Sequence, residues 1–316
     1  MPSSGSDKNT PPLICDLSFF AVIGFSGNDA LSFLHNQLSC DVAGLTSETS
    51  TYGSYCTPKG RMLTTFLLWR LGDDFLMQLP SALREPIQKR LSTFILRSKV
   101  KAADASNEWI KLGLAGKGAA ALIGRSFGQV PRAAHGVAHL DGSTIIRLPV
   151  DRFEIVAPKH KAPIIMESLA DEADMAEPEY WDWLDIRAGV PVITPATQEQ
   201  FVPQMANLDV IGGVSFTKGC YPGQEIVARM HHLGKLKQRM YLANITADER
   251  PQPGDKLYSA DTGKQSSGMI VNAARSPEGG YDALAVIQIA SAERGDVRWK
   301  SPDGLSLKFL SLPYKI

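Results

Sequence analysis

A strand-to-helix pattern occurs twice in the first half of the chain, 89 residues apart. In the first copy, an apolar run at 19–25 leads through a short turn into a helical pattern of apolar residues. In the second copy, the strand-like run Trp109–Ala115 leads into another helix. The matching positions are Gly24, Gly27 and Ala30 in the first copy and Gly113, Gly116 and Ala119 in the second. The pattern predicts two related α/β units, with a chance match as the alternative.

The composition is that of an ordinary globular protein. The 316 residues include 44% hydrophobic and 21% charged side chains, which excludes a disordered, collagen-like or coiled-coil chain. A chain of this length is expected to form two or three domains. The 33 basic and 33 acidic residues leave no net charge, which argues against a protein that binds nucleic acid over its whole surface.

The cysteines and the N-terminal residues indicate the compartment. The chain has four cysteines: Cys15, Cys40, Cys56 and Cys220. They form no C-x-x-C pair, and four cysteines in a chain this long do not make a disulfide scaffold. Residues 1–12 are polar and lack the apolar core of a signal peptide. We therefore expect a soluble protein of the reducing cytoplasm, with no membrane association and with cysteines 15, 40 and 56 serving in packing.

The sequence changes in character from Met240 onward. Short strand-like runs alternate there with turns such as those at 252–255 and 276–280, which are rich in glycine and proline. Several short strands separated by such turns are typical of a small antiparallel barrel.

Two short motifs could bind cofactors, but each has a plainer interpretation. The segment 116–121 fits the G-x-G-x-x-A pattern of dinucleotide-binding turns, but the match is weak and a tight strand-to-helix turn is the preferred interpretation. His231 and His232 could bind a metal, but neighbouring side chains point in different directions and no other ligand stands at a supporting spacing. We expect no stably bound metal.

The densest signal is the segment Lys218–Glu225, here called the motif loop, with the sequence KGCYPGQE. Its glycines and proline predict an irregular loop, and a helix is expected to start near Gly223. Cys220 would then lie beside Lys218 and near a helix N-terminus, two features that lower the pKa of a thiol below the usual ~8.5 and favour a reactive thiolate. The alternative is a buried structural cysteine.

A basic stretch follows the motif loop. From Ile226 to Ala247 there are four basic residues, Arg229, Lys235, Lys237 and Arg239, and no acid. A solvated basic face is the ordinary explanation. An anion site for a polyglutamate tail or an RNA backbone is the more specific one.

The motif loop closely resembles the K-G-C-Y-x-G-Q-E signature of the YgfZ family of folate-binding proteins, relatives of the glycine-cleavage T-protein, an aminomethyltransferase. The resemblance covers nearly the whole chain after residue 13. It includes further segments in order: 27–30, 33–34, 41–42, 58–61, 188–191, 201–204, 207–208 and 234–235.

This resemblance implies an α+β fold of the T-protein type (GcvT-like), in which two α/β units and a C-terminal antiparallel β-barrel surround a central folate channel. The expected division is a loose tail at 1–12, a first unit at 13–105 with 178–238 packed on it, a second unit at 106–177 and the barrel at 239–316.

The resemblance also implies a function. The family is associated with assembly or repair of iron–sulfur clusters, mainly in 4Fe–4S enzymes that include tRNA-thiolating enzymes, and its activity is tied to tetrahydrofolate. Cys220 and Lys218 would be the functional centre. The supporting motif residues would be Gly219, Tyr221, Gly223, Gln224, Glu225 and Arg229. The expected partners are folate and cluster-assembly proteins or client enzymes, whereas direct tRNA binding is not expected.

Three residues match folate-binding positions of the family. Trp181 corresponds to a tryptophan that packs on folate, with Trp183 as a competing candidate, and Phe20 falls near the position of a second such tryptophan. Glu154 stands where T-proteins carry a pterin-binding glutamate, whose carboxylate can accept two hydrogen bonds.

The chain departs from T-proteins where they show Arg-x-Glu-Ala-Gly, because residues 185–189 here read Asp-Ile-Arg-Ala-Gly. This difference weakens the case for a folate-dependent aminomethyl transferase, although that alternative stays open. A folate-gated scaffold without chemistry of its own is the third possibility.

Overall fold

The computed structural model describes residues 11–232, 234 and 236–316, and arranges them around three β-sheets. Most of the tail predicted at 1–12, and Lys235 of the basic stretch, lie outside the described residues. None of the helices in the described part of the chain is long and apolar enough to cross a membrane.

The first sheet has five antiparallel strands and carries two helices. Residues 13–104 form the following elements: β1 (Leu13–Asp16), β2 (Phe20–Ser26), α1 (Ala30–Gln37), β3 (Ser50–Cys56), β4 (Met62–Leu71), β5 (Asp74–Pro80), α2 (Ser81–Ser92) and β6 (Lys101–Asp104). The sheet order is β3-β4-β5-β2-β6. Each helix buries one apolar face, with Phe33 and Leu34 on α1 and Ile87 and Leu91 on α2.

The second sheet has six strands, and it includes β1. Its other elements are β7 (Trp109–Ala115), α3 (Ala119–Phe127), β8 (Val137–Leu140), β9 (Ser143–Leu148), β10 (Arg152–Pro158), α4 (Ala162–Ala170) and β11 (Asp174–Ala176). The sheet order is β11-β1-β7-β10-β9-β8, and β1 pairs antiparallel with β7 and parallel with β11. Ile14 of β1 packs in the core with Leu114 and Phe153, which draws this strand away from the first sheet. Residues 13–16, which the sequence assigned to the first unit, thus pair with strands of the second sheet. The domain boundary near residue 105 stays a prediction.

The repeated strand-to-helix pattern is confirmed in both copies. β2 and β7 are each followed by a glycine with a positive φ, 108° at Gly27 and 102° at Gly116, and α1 and α3 begin at the matching alanines Ala30 and Ala119. A Cβ on Gly27 would also stand 2.2 Å from the carbonyl oxygen of Lys99. Only glycine accommodates such a turn, which explains why the two copies match at these positions.

The segment 178–238 connects the second sheet to the C-terminal sheet. It contains α5 (Pro178–Arg187), a short 3-10 helix at Pro203–Ala206 and α6 (Gln224–His232). Its middle part is held on the first sheet, where Met62 N donates to Phe201 O at 2.9 Å and Ile193 N donates to Thr65 Oγ1 at 3.0 Å. α5 packs instead mainly on the C-terminal sheet.

The C-terminal sheet is antiparallel and curled. Its elements are β12 (Gln238–Ile245), β13 (Lys256–Ser259), β14 (Ser266–Arg275), β15 (Tyr281–Gln288), α7 (Ile289–Arg294), β16 (Val297–Trp299) and β17 (Lys308–Leu310). The order is β16-β13-β14-β15-β12-β17, with a register shift in β14 between Ile270 and Asn272. Such irregularities increase the local bend of a strand. The described strands form a half-barrel with two edges, so the barrel expected from the sequence is open.

One apolar core joins side chains of the first two sheets and α5. It holds the two largest fully buried side chains of the described residues, Trp69 and Trp181. The cavities described next adjoin this core.

Candidate functional site

An inner cavity is lined by four strands of the first sheet, by β10, by α5 and by the segment 190–192. Its apolar walls include Phe20, Phe66 and Pro80. Its charged lining residues are two acids, Glu154 and Asp185. A largely apolar lining with a few converging polar groups is the usual composition of a small-molecule site.

Glu154, the predicted pterin-binding carboxylate, lies in this cavity. It is 3% exposed on β10, and Gln78 Nε2 donates to its Oε2 at 2.8 Å. Burial raises the pKa of Glu154 to about 7, and the nearby Asp185 adds to this rise, whereas the bond from Gln78 and the charges of Arg152 and Lys111 oppose it. Both protonation states are therefore accessible near neutral pH.

The amide oxygen of Gln78, in the cavity lining, is buried and lacks a hydrogen-bond partner in the described part of the chain. The hydroxyl of Tyr52 is also buried in the lining and interacts with the Arg152 guanidinium. A buried polar atom without a partner costs about 1–3 kcal/mol. The Gln78 oxygen and the Glu154 carboxylate are therefore free to bond a ligand that carries several donors along one edge.

Asp185 is held by a buried ion pair. Arg152 Nη1 donates to Asp185 Oδ1 at 2.7 Å, and both side chains are almost fully buried. The chain thus presents an acid at the position where T-proteins carry an arginine. The arginine of the 185–189 segment, Arg187, stands two residues after this acid. Its Nη1 lies 3.5 Å from Asp282 Oδ2 of the C-terminal sheet.

Trp181 lies in the core beside this ion pair. It lines neither the inner cavity nor the outer cavity that adjoins it, described below. Its side chain is fully buried, 5.0 Å from the Arg152 guanidinium, and a Cβ on Gly113 would stand 2.3 Å from its ring. The ring therefore has no exposed face in this structure, and the stacking of folate on Trp181 stays a prediction. The competing Trp183 donates its Nε1 proton to Asp282 at 2.9 Å.

Phe20 is the predicted aromatic residue that reaches the cavity. It also lines an outer cavity, which shares Pro80, Asp185, Val190 and Val192 with the inner one. At the outer cavity, Arg250 lies 3.2 Å from Glu179 and 3.7 Å from Asp182. The two cavities adjoin each other, and Phe20 lies where they meet.

Lys218 anchors the motif loop to helix α1. Its Nζ donates to the carbonyl oxygens of His35, Leu38 and Cys40, at 2.6 Å for Leu38 and 2.9 Å for Cys40. These carbonyls lie at or just beyond the last turn of α1, where a helix leaves acceptors unsatisfied. Burial lowers the pKa of Lys218 to about 8. The lysine therefore acts in this structure as a tether of the loop.

Gly223 fits the motif loop against the turn at 57–60, another segment of the family resemblance. Its φ is 84°, and a Cβ there would stand 2.5 Å from Thr57 O and 2.6 Å from Gly60 Cα. Gly60, with φ of 71°, meets Gly223 and Ile226 in return. Each glycine is needed because the other backbone approaches so closely. α6 begins at Gln224, as predicted.

The other motif residues surround this contact. Tyr221 is buried, its ring lies 5.1 Å from Lys218 Nζ, and its hydroxyl is without a partner among the described residues. Gln224 Nε2 donates to Lys218 O at 3.4 Å, which closes the loop on itself. Gly219 is open to solvent, and Glu225 and Arg229 are exposed on α6.

Cys220 is the exposed cysteine of the chain, and the structure buries the other three. Burial raises the pKa of Cys15 to about 11 and those of Cys40 and Cys56 to about 12, which keeps these thiols protonated and supports the packing role expected for them. The reactive role of Cys220 stays a prediction.

The structure keeps the two predicted groups of site residues apart. No residue of the motif loop lines the inner or the outer cavity, whereas Phe20 and Glu154 do.

The other motifs of the sequence lie elsewhere. In the basic stretch, Arg239 forms a bidentate ion pair with Asp209, with N–O distances of 2.7 and 3.0 Å. The turn at 116–118 packs on Pro12, in keeping with a structural role. Across residues 11–232, 234 and 236–316, no three His, Cys, Asp or Glu side chains come together as metal ligands.

Sequence reasoning missed Gln78, Tyr52 and Arg152. Gln78 is a polar residue in the middle of β5, whose burial runs unbroken from Phe75 to Leu79. A single amide in an otherwise apolar buried strand is a usable signal, because buried polar groups need partners.

The fold defines the class of protein. The model of the GCVT N-terminal domain family matches residues 12–173. The crystal structure of glycine cleavage system aminomethyltransferase T from Bartonella henselae superposes with a TM-score of 0.79 and 18% identity, covering 96% of this chain and 86% of that one. The chain therefore has the GcvT-like fold.

Curated relatives narrow this class. A tRNA-modifying protein YgfZ from Sodalis glossinidius is 32% identical over 322 residues, covering 100% of this chain and 96% of the relative. Proteins of the same name from Pectobacterium carotovorum and Escherichia coli are each 30% identical, covering 96% and 97% of this chain and 92% and 94% of the relatives. This chain belongs to the YgfZ family.

Proposed function

We propose that this protein binds a reduced folate in the inner cavity and that this binding serves tRNA modification. The observation that carries the proposal is the convergence of Glu154, Gln78 and Tyr52 on one largely apolar cavity. The GcvT-like fold supports the use of folate, and the relatives named tRNA-modifying proteins support a role in tRNA modification.

The residues fit a pterin ring. The pterin edge carries amino and ring N–H donors, and the Glu154 carboxylate and the unpartnered Gln78 oxygen are acceptors. Phe20 and Phe66 offer apolar surface to the flat ring system. Phe20 would lie beside the part of the folate molecule that extends from the pterin ring into the outer cavity. When bound, a reduced folate supplies a carrier for one-carbon units.

Tetrahydrofolate titration calorimetry under anaerobic conditions tests this binding. Glu154→Gln keeps the size of the side chain but removes one acceptor and the charge, so the affinity should fall about tenfold or more. Glu167→Gln, which makes the same change on the exposed face of α4, should bind as the wild type does. Equal affinities of all three proteins would exclude Glu154 from the site.

The finer part of the proposal is that the protein assists assembly or repair of 4Fe–4S clusters in cytoplasmic client enzymes. Cys220 would act as a thiolate on part of a cluster or on its sulfur. Its exposure on a loop that Lys218 and Gly223 hold in place supports this role. A single exposed thiol does not suit a resident cluster, because such clusters take several thiolates.

Complementation tests this part separately. In cells lacking the protein, Cys220→Ser should fail to restore 4Fe–4S enzyme activity while the purified variant keeps wild-type folate affinity. Full restoration by the serine variant would reject thiolate chemistry and favour a scaffold. Turnover in a glycine-cleavage assay with the lipoylated carrier protein would instead favour an aminomethyl transferase.

A further inference from the structure

The segment 190–192 is a wall that the inner and the outer cavity share. Val190 and Val192 line both cavities, and Pro191 lines the inner one. The segment belongs to no helix or strand, so neither a helical turn nor a sheet ladder holds its backbone in place. Its position therefore depends on hydrogen bonds to the elements around it.

Asn272 of β14 supplies two of these hydrogen bonds. Val192 N donates to Asn272 Oδ1 at 2.9 Å, and Asn272 Nδ2 donates to Val192 O at 2.8 Å. One side-chain amide thus pairs with both backbone groups of Val192, as a neighbouring strand would. At the next residue, Ile193 N donates to Thr65 Oγ1 of β4 at 3.0 Å. The wall is therefore held by the C-terminal sheet and by the first sheet.

The register shift of β14 places Asn272 at this wall. In a regular strand every second side chain points to the same face, so Ile270 and Asn272 would share one. Across the shift, however, Ile270 packs in the core of the C-terminal sheet together with Ala273, three residues further on, while Asn272 lines the outer cavity. Such bulges re-aim a side chain and are frequent next to functional sites.

We propose that Asn272 is a positioning residue of the folate site, which holds Val192 and with it the wall against which the ligand packs. This inference rests on the proposed function. Asn272 lines the outer cavity but not the inner one, so a pterin ring bound beside Glu154 does not meet it. Its influence on the ring passes through Val192. The C-terminal sheet thereby takes part in the site, although none of its residues lines the inner cavity.

Anaerobic calorimetry with two ligands separates positioning from direct contact. Tetrahydrofolate extends into the outer cavity, whereas 6-methyltetrahydropterin carries the ring alone and occupies only the inner cavity. Asn272→Asp keeps the size of the side chain and the acceptor for Val192 N, but its carboxylate has no proton to donate to Val192 O. At pH 7.5 the variant should therefore bind both ligands about tenfold more weakly than the wild type.

Lowering the pH should restore the binding that Asn272→Asp loses. A protonated aspartic acid donates and accepts as asparagine does, so the ratio of variant to wild-type affinity should rise from pH 7.5 to pH 5. The charged residues that line the outer cavity with Asn272 are Asp182, Asp185 and Arg250. Both proteins contain them, so the ratio at each pH isolates the introduced carboxyl group. Asn107→Asp, the same change at an exposed position, should bind both ligands as the wild type does.

Each contrary outcome overturns a defined part of the argument. A wild type that binds neither ligand removes the proposed function and this inference with it, whereas full binding by Asn272→Asp overturns the inference alone. Weaker binding of tetrahydrofolate with unchanged binding of 6-methyltetrahydropterin shows direct contact, and the positioning role fails. If urea titration shows that Asn272→Asp does not fold, Thr65→Val decides: it removes the acceptor of Ile193 N, and unchanged affinity for both ligands overturns the role of the wall.

Discussion

Replacing Glu154 by glutamine should change how the stability of the protein depends on pH. Glutamine has nearly the same shape, and its amide oxygen can still accept the bond from Gln78 Nε2. What the substitution removes is a titrating group whose pKa burial raises from 4.5 to about 7. The comparison of the two proteins therefore isolates the effect of that group.

The direction follows from the shift. Since the pKa of the folded state lies above that of the unfolded state, the folded protein binds the proton more tightly. The resulting stabilisation is complete below pH 4.5 and is lost as the pH rises through 7. A shift of this size corresponds to about 3 kcal/mol between the two ends of the range. For a chain of this length that unfolds as one unit, this is about 4–5 °C in melting temperature.

Scanning calorimetry between pH 5 and pH 8 measures the effect. The melting temperature of the wild type should fall relative to that of Glu154→Gln as the pH rises, so that the variant gains about 4 °C over this range. Asp182 and His135 titrate in both proteins, and their contributions cancel in the difference. Asp185 interacts with Glu154, so the difference reports the ionisation of these two acids as a coupled pair. The exposed Glu167→Gln should run parallel to the wild type. Parallel curves for Glu154→Gln and the wild type would refute the argument that burial raises this pKa.

Three further predictions concern the motif loop and the core. In the native protein, iodoacetamide should label Cys220 alone, with the buried cysteines reacting only after denaturation; mass spectrometry that finds a second labelled site would contradict their burial. Gly223→Ala should lower the free energy of unfolding by about 1 kcal/mol or more in a urea titration, because φ is positive there and the new Cβ would clash with Thr57 O. The control Gly219→Ala should lower it far less, because a Cβ at Gly219 meets no atom within 4 Å. Trp181→Ala should lower it by about 3–5 kcal/mol, and a melting temperature equal to that of the wild type would show that the ring is not part of the core.

The sequence alone predicts the local elements well and the tertiary contacts poorly. The strand-to-helix repeat is visible because Gly27 and Gly116 each meet a local requirement for positive φ. The start of α6 after Gly223 is likewise a local property. The contact between Gly223 and Gly60 is not, because 163 residues separate the two glycines and only the folded chain brings them together.

The folate residues show the same limit. Trp181 matches a family position by its place in the sequence, but whether an aromatic ring faces a cavity or the core depends on its neighbours. Here Gly113 on β7 leaves room for the ring, and Arg152 lies beside it. Gln78 and Tyr52 escape notice because each is a single polar side chain in a buried strand, and its importance appears only when Glu154 is brought across from the second sheet.

A β-hairpin connects the inner cavity and the motif loop. Tyr52 on β3 and its cross-strand partner Leu67 on β4 line the inner cavity, whereas the turn at 57–60 that joins these strands receives Gly223. Five residues of extended strand between Tyr52 and Thr57 span about 16 Å. No motif residue lines the inner cavity, so a pterin bound at Glu154, as proposed, would not touch Cys220 directly. Any influence of folate on the thiol must therefore pass through the protein, along this hairpin or through the segment 203–208, where Leu208 lines the cavity and Gln204 bonds α6. For this reason we expect Glu154→Gln and Cys220→Ser to disable the protein in separable ways.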